Sequence, residues 1–456
     1  MIFKPHAYQE RAIRFIIDHP NCALFLDMGL GKSVITLTAI QRLMEDYLEI
    51  NKVLVIAPKS VARNTWPSEL RKWDHLKDIR MSLVMGTEAQ RRKALDADAD
   101  IYVTNRDNVK WLVDYCDLEL VKWPFNCVVL DESSSFKNPQ SRRYKALRRM
   151  RWKIYRMIEL TGTPSPNGLM DLWSQIELLD KGARLGRTLT TYRSRYFNPG
   201  RHNGHVVYEW RPKAGARETI TALISDICLS MRAEDYLEMP DLITAGADIV
   251  LSDGERKGYA EFEKEQLMEV DDTEIEAVTA AALTNKLLQY TGGAVYDSEH
   301  EWHEVGRSKL DALADLVEAA GEPVLVFYAY KHELARIQEE LKDYRPVVFT
   351  GEPEILEEWN RGGIQVLLCH PASVAYGLNM QQGGRIIVWY TPTWNLELYQ
   401  QANARLYRQG QGKPVLLYHF VAKGTVDERV MDALSGKDSM QEYLMRRIKE
   451  LKEGGL

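Results

Sequence analysis

Cysteine is scarce in this chain. The five thiols among 456 residues, Cys22, Cys116, Cys127, Cys228 and Cys369, are odd in number, far apart and form no CxxC pair. That spacing excludes a disulfide framework and a zinc site, and it points to a reducing compartment. Cys369-His370 reads as a strand end rather than a metal pair. Long apolar runs are missing too: none approaches bilayer length, and the opening MIFKPHAYQERAI lacks the apolar core of a signal peptide. A cytoplasmic protein with no membrane contact is expected. Repeats and low-complexity tracts are absent. Net positive charge is lacking as well, and the formal value of −6 excludes a uniformly basic nucleic-acid binder while leaving local charge to decide.

What is present is an ordinary soluble composition, 45% apolar and 27% charged, with length for two or three domains. Its most informative stretch is LDMGLGKS, Leu26 to Ser33. An apolar run, Cys22 to Leu26, precedes it and Val34 to Ile40 follows, so a buried strand turns sharply into a helix. Gly29 and Gly31 let backbone N–H groups turn toward phosphate oxygens, Lys32 adds a point charge, and Ser33 offers a hydroxyl to Mg²⁺. The strict pattern has Gly where Leu26 stands, and a Gly-rich turn with a surface lysine is the plain alternative.

Four further apolar runs end in polar clusters. Lys52 to Ala57 ends at Pro58-Lys59-Ser60, Asp100 to Thr104 at Asn105, Cys127 to Leu130 at Asp131-Glu132, and Met157 to Leu160 at Thr161-Gly162-Thr163-Pro164. Alternation with helical segments predicts a doubly wound parallel sheet, whose ligands gather beyond the carboxyl ends of the strands. Asp131 is placed to hold a nucleotide's Mg²⁺ and Glu132 to deprotonate a water; two acids opening a loop is the alternative. Before the phosphate-loop stretch, Tyr8-Gln9 with Arg11 opens an amphipathic helix, either solvated surface or, through Gln9, a reader of an adenine edge.

Between about Lys181 and Gly306 the pattern is helical, with no clear buried strand apart from Ile249-Val250-Leu251. Its first half is rich in arginine, including Arg201, and its second half, Glu261 to Glu276, is acidic, which predicts two helical insertions. Strand rhythm returns from Pro323, at Val324 to Tyr328, Val347 to Phe349, Gln365 to Leu368, Arg385 to Trp389 and Val415 to Phe420. Within QQANARLYRQGQ, Arg405 and Arg408 are three apart and on a helix would share one face. Such cations suit the charge that develops on a transferred phosphoryl group, although paired surface arginines are common. The run Arg142 to Lys153 contains no acid; it is read either as a phosphate-gripping helix or as the solvated face of a helix covering the sheet. The tail has helical spacing over Thr425 to Leu434 and Met440 to Leu451.

The ordered set LDMGLGKS, VLVIAPKS, YVTN, VVLDES, LTGTP, VLVFYAY, GLNMQQGGRIIVWYTPTWN and QQANARLYRQGQ resembles the helicase motifs of the Swi/Snf family of DNA translocases, within helicase superfamily two, in a compact bacterial or phage form. MRAEDYLEMPDL looks like the segment closing that family's first lobe, and GTVDERVMDAL like the helix after its last motif. The resemblance implies an α/β fold of two RecA-like P-loop lobes with parallel sheets, helical insertions and a C-terminal helical brace. The expected division is 1–180 for the first lobe, 181–240 for its insertion, 241–306 for a linker and second insertion, 307–424 for the second lobe, and 425–456 for C-terminal helices.

It further implies ATP and Mg²⁺ as ligands. Gln9 becomes an adenine contact, Met28, Gly29, Leu30, Gly31, Lys32 and Ser33 the phosphate loop, Ser33 and Asp131 the metal ligands, and Glu132 the catalytic acid/base. Arg405 and Arg408 become arginine fingers supplied across the interlobe cleft, and Thr161 and Thr163 the coupling residues. Lys59, Asn105, Thr350, Ser373 and Trp394 match positions near the nucleic-acid track; Trp394 either stacks on a base or packs in its loop. The chain departs from the family in DESS, where DEAH or DEGH is usual, and in Ala404 and Leu406-Tyr407, where Gly and Ala-His are usual. The implied activity is an ATP-dependent double-stranded DNA translocase, a DNA-stimulated ATPase serving repair, recombination or remodelling of protein–DNA complexes. A monomeric motor is expected, with room for a protein partner such as a nuclease, and with no appended domain to read histones or a DNA sequence. Two alternatives stand beside it, an RNA or DNA helicase of superfamily two and an ATP-gated DNA clamp for a nuclease. The insertions and the GLNMQQGG and TWN segments favour the translocase over the helicase.

Overall fold

The computed structural model describes residues 1–118, 122–200, 202–203, 206–207, 209–271, 277–374 and 378–453; Arg201, Glu274, Glu276 and Gly377 of the sequence reading lie outside the described residues. The chain divides into two units, residues 1–237 with 438–456, and residues 238–437.

In the first unit the apolar runs become strands β1 (Asn21–Leu26), β2 (Val53–Ala57), β3 (Met81–Val84), β4 (Ile101–Asn105), β5 (Cys127–Asp131) and β6 (Arg156–Thr161). With Cys228–Met231 they form a seven-stranded parallel sheet in the order Cys228–Met231, β1, β6, β5, β2, β4, β3. Ala23 and Phe25 of β1 enter one apolar cluster while Cys22, Leu24 and Leu26 enter another, so successive side chains fill opposite faces. Helices cover both faces, which is why these strands read as continuous apolar runs. Among them are α1 (Ala7–Asp18), α2 (Lys32–Glu45), α3 (Trp66–Lys72), α4 (Glu88–Asp96), α5 (Val109–Leu118) and α6 (Arg142–Met150), with the helix Leu172–Asp180 packed into the same core.

Both edge strands escape the sequence reading. MSLV (β3) and CLSM (Cys228–Met231) mix serine with apolar residues, and the second lies in the segment read as free of buried strands. Cys228–Met231 is nevertheless buried and pairs with β1, Ala23 opposite Cys228 and Leu26 opposite Met231. This pairing carries Arg232 to Leu237 to the phosphate-loop end of β1. The insertion before it holds helices Leu189–Tyr196 and Ala216–Ile224 and an antiparallel pair, Phe197–Pro199 with Trp210–Pro212.

The second unit is also a RecA-like α/β lobe. Its six parallel strands run in the order Leu242–Ile249, Val415–Ala422, Ile386–Trp389, Val324–Phe327, Val366–Cys369, Val347–Phe349. The strand expected at Ile249-Val250-Leu251 instead ends at Ile249, and Val250 is 68% exposed. Leu242–Ile249 is an edge strand with mostly exposed side chains, so its sequence, LITAGADI, carries little of the buried-strand signal. Helices Asp253–Asp271 and Ala277–Thr291 form the second insertion.

The tail is one helix, Val426–Glu453, rather than two. Gly436 lies inside it with open space around it, a weak point of about 1 kcal/mol that does not break the helix. Residues up to 437 belong to the second unit and those from 438 to the first, where Leu444, Met445 and Ile448 join the core. The helix starts on a buried ion pair, Lys309 Nζ to Asp427 Oδ2 at 2.6 Å, and Asp427 also accepts from Thr291 Oγ1 at 2.7 Å and from the Ala422 N–H at 3.0 Å. Such a pair depends on having every oxygen satisfied, and here both are.

Candidate active site

The phosphate-loop stretch leaves β1 at Leu26, fully buried as the strand's last residue. That position is strand, not turn, which explains why the glycine of the strict pattern is dispensable. Gly29 (φ 89°) and Gly31 (φ 82°) take the left-handed turn that other residues resist, while Leu30 anchors the loop in the core. Gly31 caps α2 without a side chain, so the first-turn N–H groups of this 14-residue helix are left for an anion. Lys32 Nζ donates to the Leu26 carbonyl at 2.8 Å and lies 3.5 Å from that of Asp27, folded over its own loop.

Gln9 is buried against this loop rather than solvated. Its Oε1 accepts the His6 N–H at 3.0 Å, capping α1, and its Nε2 lies 3.4 Å from the Leu30 carbonyl. A Cβ on Gly31 would come 2.9 Å from Gln9 Nε2 and 3.2 Å from Val34 Cγ1, and its φ of 82° strains any other residue there. From the edge strand, the Ala233 N–H donates to Asp27 Oδ2 at 2.9 Å, and the Tyr8 and Tyr236 rings meet at a tilt with centroids 5.0 Å apart. The MRAEDYL segment thus closes one side of the loop.

Asp131 ends β5, its carboxylate accepting from Trp66 Nε1 at 2.9 Å. Burial raises its pKa, while the Trp66 bond and the Lys32 ammonium pull the other way. Glu132 follows at φ 54°, a left-handed conformation costing a residue with a side chain on the order of 1–3 kcal/mol, the kind of strain that gathers at functional sites. Ser133 Oγ donates to Gln175 Oε1 at 2.9 Å, and Gln175 Nε2 donates to the Pro164 carbonyl at 2.8 Å, so DESS is tied to LTGTP by one buried amide. In LTGTP the Thr163 N–H donates to Thr161 Oγ1 at 2.9 Å, and a Cβ on Gly162 would sit 3.2 Å from the Leu26 carbonyl and 3.7 Å from Lys32 Nζ. Thr163 Oγ1 is buried without a partner among the described residues.

An uncapped helix start, a glycine cradle, a lysine on exchangeable carbonyls and a buried aspartate facing it fit a nucleoside triphosphate with its divalent ion. Trp66, Gln175 and Gln441, whose Nε2 donates to the Gly162 carbonyl at 3.3 Å, belong to this site and escaped the sequence reading. Each reaches it from a helix through the fold, and no local pattern marks them.

The remaining candidates lie at other strand ends. Lys59 is exposed after β2. Asn105 ends β4, its Oδ1 accepting from Asn108 Nδ2 at 2.6 Å. In the second unit the Thr350 N–H donates to Glu352 Oε2 at 3.0 Å. Ser373 Oγ donates to the His370 carbonyl at 2.7 Å and lies 3.4 Å from that of Phe349, which brings the Thr350 and Ser373 loops together. Trp394 stands apart, its carbonyl held by Lys437 Nζ at 2.8 Å.

Arg405 and Arg408 are not on a helix. The helix Leu396–Asn403 stops short of both, because Asn403 is held by Trp389 Nε1 at 2.9 Å and Leu406 turns into the core. The turn still brings the two together: Nη1 of each donates to the Leu378 carbonyl, at 3.0 and 3.2 Å.

The sequence matches the SNF2-related domain over residues 8–292 and the helicase conserved C-terminal domain over 308–410. The chain belongs to the SNF2-related family. It is a helicase-like ATPase core that uses a nucleotide. Its relatives include putative protein p41 of the Acyrthosiphon pisum secondary endosymbiont phage 1, 37% identical over 98% of this chain and 99% of that one. A putative ATP-dependent helicase/translocase of Bacillus subtilis is 26% identical over 92% of this chain and 46% of its own, and a DNA repair and recombination protein RAD54-like of Drosophila ananassae is 24% identical over 97% and 63%. This SNF2-family chain therefore spans nearly all of the phage relative but less than two thirds of the other two. Among solved structures the chain is similar to a Sulfolobus solfataricus SWI2/SNF2 ATPase core in complex with dsDNA, 20% identical over 99% of this chain and 97% of that one, with a TM-score of 0.45. Among the described residues no helix is long and apolar enough to cross a membrane.

Proposed function

We propose that the protein is an ATP-driven motor on double-stranded DNA. The observation that carries the reading is the convergence of Lys32, Asp131 and the Thr161-Gly162-Thr163 turn on one glycine-built loop in a member of the SNF2-related family. Descriptions of relatives as a helicase/translocase and a DNA repair and recombination protein support DNA as the polymer.

Lys32 exchanges the Leu26 carbonyl for the β- and γ-phosphates. Ser33 and Asp131 would hold Mg²⁺, which would neutralise phosphate charge. Glu132 takes a proton from the attacking water, and water replaces ADP on the γ-phosphoryl group to give phosphate. Arg405 and Arg408 leave the Leu378 carbonyl to meet the charge developing on that group. Gln9 contacts the adenine, and Thr161 and Thr163 transmit the state of the site to DNA held by Lys59, Asn105, Thr350, Ser373 and Trp394. A motor gripping phosphates reads backbone shape and needs no open bases.

Triplex displacement and duplex unwinding, run in parallel at one ATP and salt concentration, test this. Displacement with an intact duplex is the expected result. Efficient unwinding makes the protein a helicase, and DNA-stimulated hydrolysis with neither makes it a stationary clamp.

A further inference from the structure

The basic run Arg142 to Lys153 becomes α6 and a short turn, Arg151–Lys153, in the first unit. Its inward residues Tyr144, Leu147 and Met150 join the core. Two of its arginines are structural. Arg151, 2% exposed, donates to the carbonyls of Ile154 at 2.8 Å and Leu179 at 2.6 Å, and Arg149 is held by Asp114 at 2.7 Å. The rest of the outer face opens onto a cavity of about 910 Å³ walled by α6 and the segment 177–189, with Lys145, Arg148, Trp152, Lys181 and Arg187 along it.

This groove is cationic in effect as well as in composition. Its two carboxylates are already engaged: Glu177 accepts from Tyr144 Oη and Arg148 Nε, each at 2.8 Å, and Asp180 accepts the N–H groups of Gly182 and Arg184, each at 2.8 Å. Lys145 and Arg187 are exposed, and among the described residues neither side chain has a partner. Between these cations Trp152 is 77% exposed, with the Lys181 ammonium 4.3 Å from its ring centroid. An indole that exposed contributes nothing to the core, and the ring face away from Lys181 is available to a flat ligand.

We propose that this groove is a second nucleic-acid site, in which Lys145 and Arg187 contact the phosphates of a single-stranded DNA segment while a base stacks on Trp152. Cations along a groove with an accessible aromatic are the recurring means of holding single strands. A duplex satisfies the cations but keeps its bases stacked inside, and an acidic peptide satisfies the cations alone; both leave Trp152 without a role. The inference takes DNA as the polyanion from the motor reading above and is otherwise independent of hydrolysis.

Fluorescence anisotropy of a labelled oligothymidine, without nucleotide, tests it on the full chain. The Lys145→Glu/Arg187→Glu variant is expected to bind at least tenfold more weakly at low salt. The slope of log affinity against log salt should fall by about 1.4, since each lost phosphate contact removes about 0.7. Trp152→Ala should bind roughly tenfold more weakly, in line with the loss of one stacked base. Lys145→Arg/Arg187→Lys should bind like the wild type, and duplex-stimulated ATP turnover should be unchanged in all three. Unchanged affinity in both disruptive variants overturns the proposal. So does an equal loss of single-stranded and duplex binding on charge reversal with none in Trp152→Ala, or a loss confined to a polyglutamate probe. Failure of duplex DNA to stimulate turnover in the wild type defeats the motor reading and leaves this binding result standing.

Discussion

Two units of one chain share a parallel α/β architecture and differ in what their strand ends carry. In the first, β1, β5 and β6 end in a glycine turn, an aspartate under a tryptophan and a threonine turn, which touch one another through Lys32, Gly162 and Gln175. In the second, the corresponding ends carry hydroxyls and Trp394, and both arginines rest on one of the unit's own carbonyls. The sheet supplies an edge where ligands collect, and the few residues just past each strand decide whether that edge can hold a triphosphate.

The largest effect should come from Lys32→Ala, because no other cation in LDMGLGKS reaches the phosphates. Steady-state hydrolysis is expected to vanish with folding intact, and full turnover would dissolve the contrast between the units. Next, Arg405→Ala and Arg408→Ala should each lower turnover by roughly 10³, the scale of an arginine finger, with ATP affinity little changed. Near-normal rates in both would mean that the second unit supplies no cation to the chemistry. Glu132→Gln keeps the shape and loses the base, so a fall of about 10² or more is expected, with nucleotide binding retained by equilibrium titration. Loss of binding as well would assign Glu132 a structural part.

Legibility in the sequence followed burial. Strands covered on both faces, such as VLVIA and CVVLD, announce themselves as apolar runs with polar ends, and so the phosphate loop, Asp131, Glu132 and the Thr161 turn could be read directly. Edge strands could not: LITAGADI is mostly exposed and needs few apolar residues, while CLSM, although buried, is only four residues long with a serine among them. The segment Arg232 to Leu237 reads as closing the first lobe, but its place beside the loop follows from that missed pairing. The spacing of Arg405 and Arg408 suggested a helix because a period of three is helical, but Leu406 turning inward ends the helix at Asn403. Trp66, Gln175 and Gln441 act on the site from a distance in sequence, where no pattern within a window can find them.

The smallest expected effect concerns stability, and here the units diverge again. Deeply buried acids mark the first: burial holds the Glu159 carboxyl well above its usual value of 4.5, although the Ser133 hydroxyl and the Arg151 charge pull the other way. Buried histidines mark the second, where burial pushes His332 and His419 down to about 4, although Glu333, raised by its own burial, runs against that trend. For a carboxyl raised on folding, the stability contribution is complete below 4.5 and is lost as pH rises through the raised value. For a histidine lowered from 6.5 to about 4, the unfolded chain takes up its proton first, so stability present above 6.5 is lost as pH falls toward 4. Hydrogen exchange followed peptide by peptide should therefore show the second unit loosening between pH 6.5 and 4. The double variant His332→Gln/His419→Gln should flatten that loss. Glu159→Gln should protect the first unit relative to wild type at pH 8, by about 2–4 °C in melting midpoint for each kcal/mol recovered, and the gain should fade toward pH 4.5. A gain that persists at pH 4.5 would show that the amide acts by packing and that the carboxyl was never a charge held off by burial.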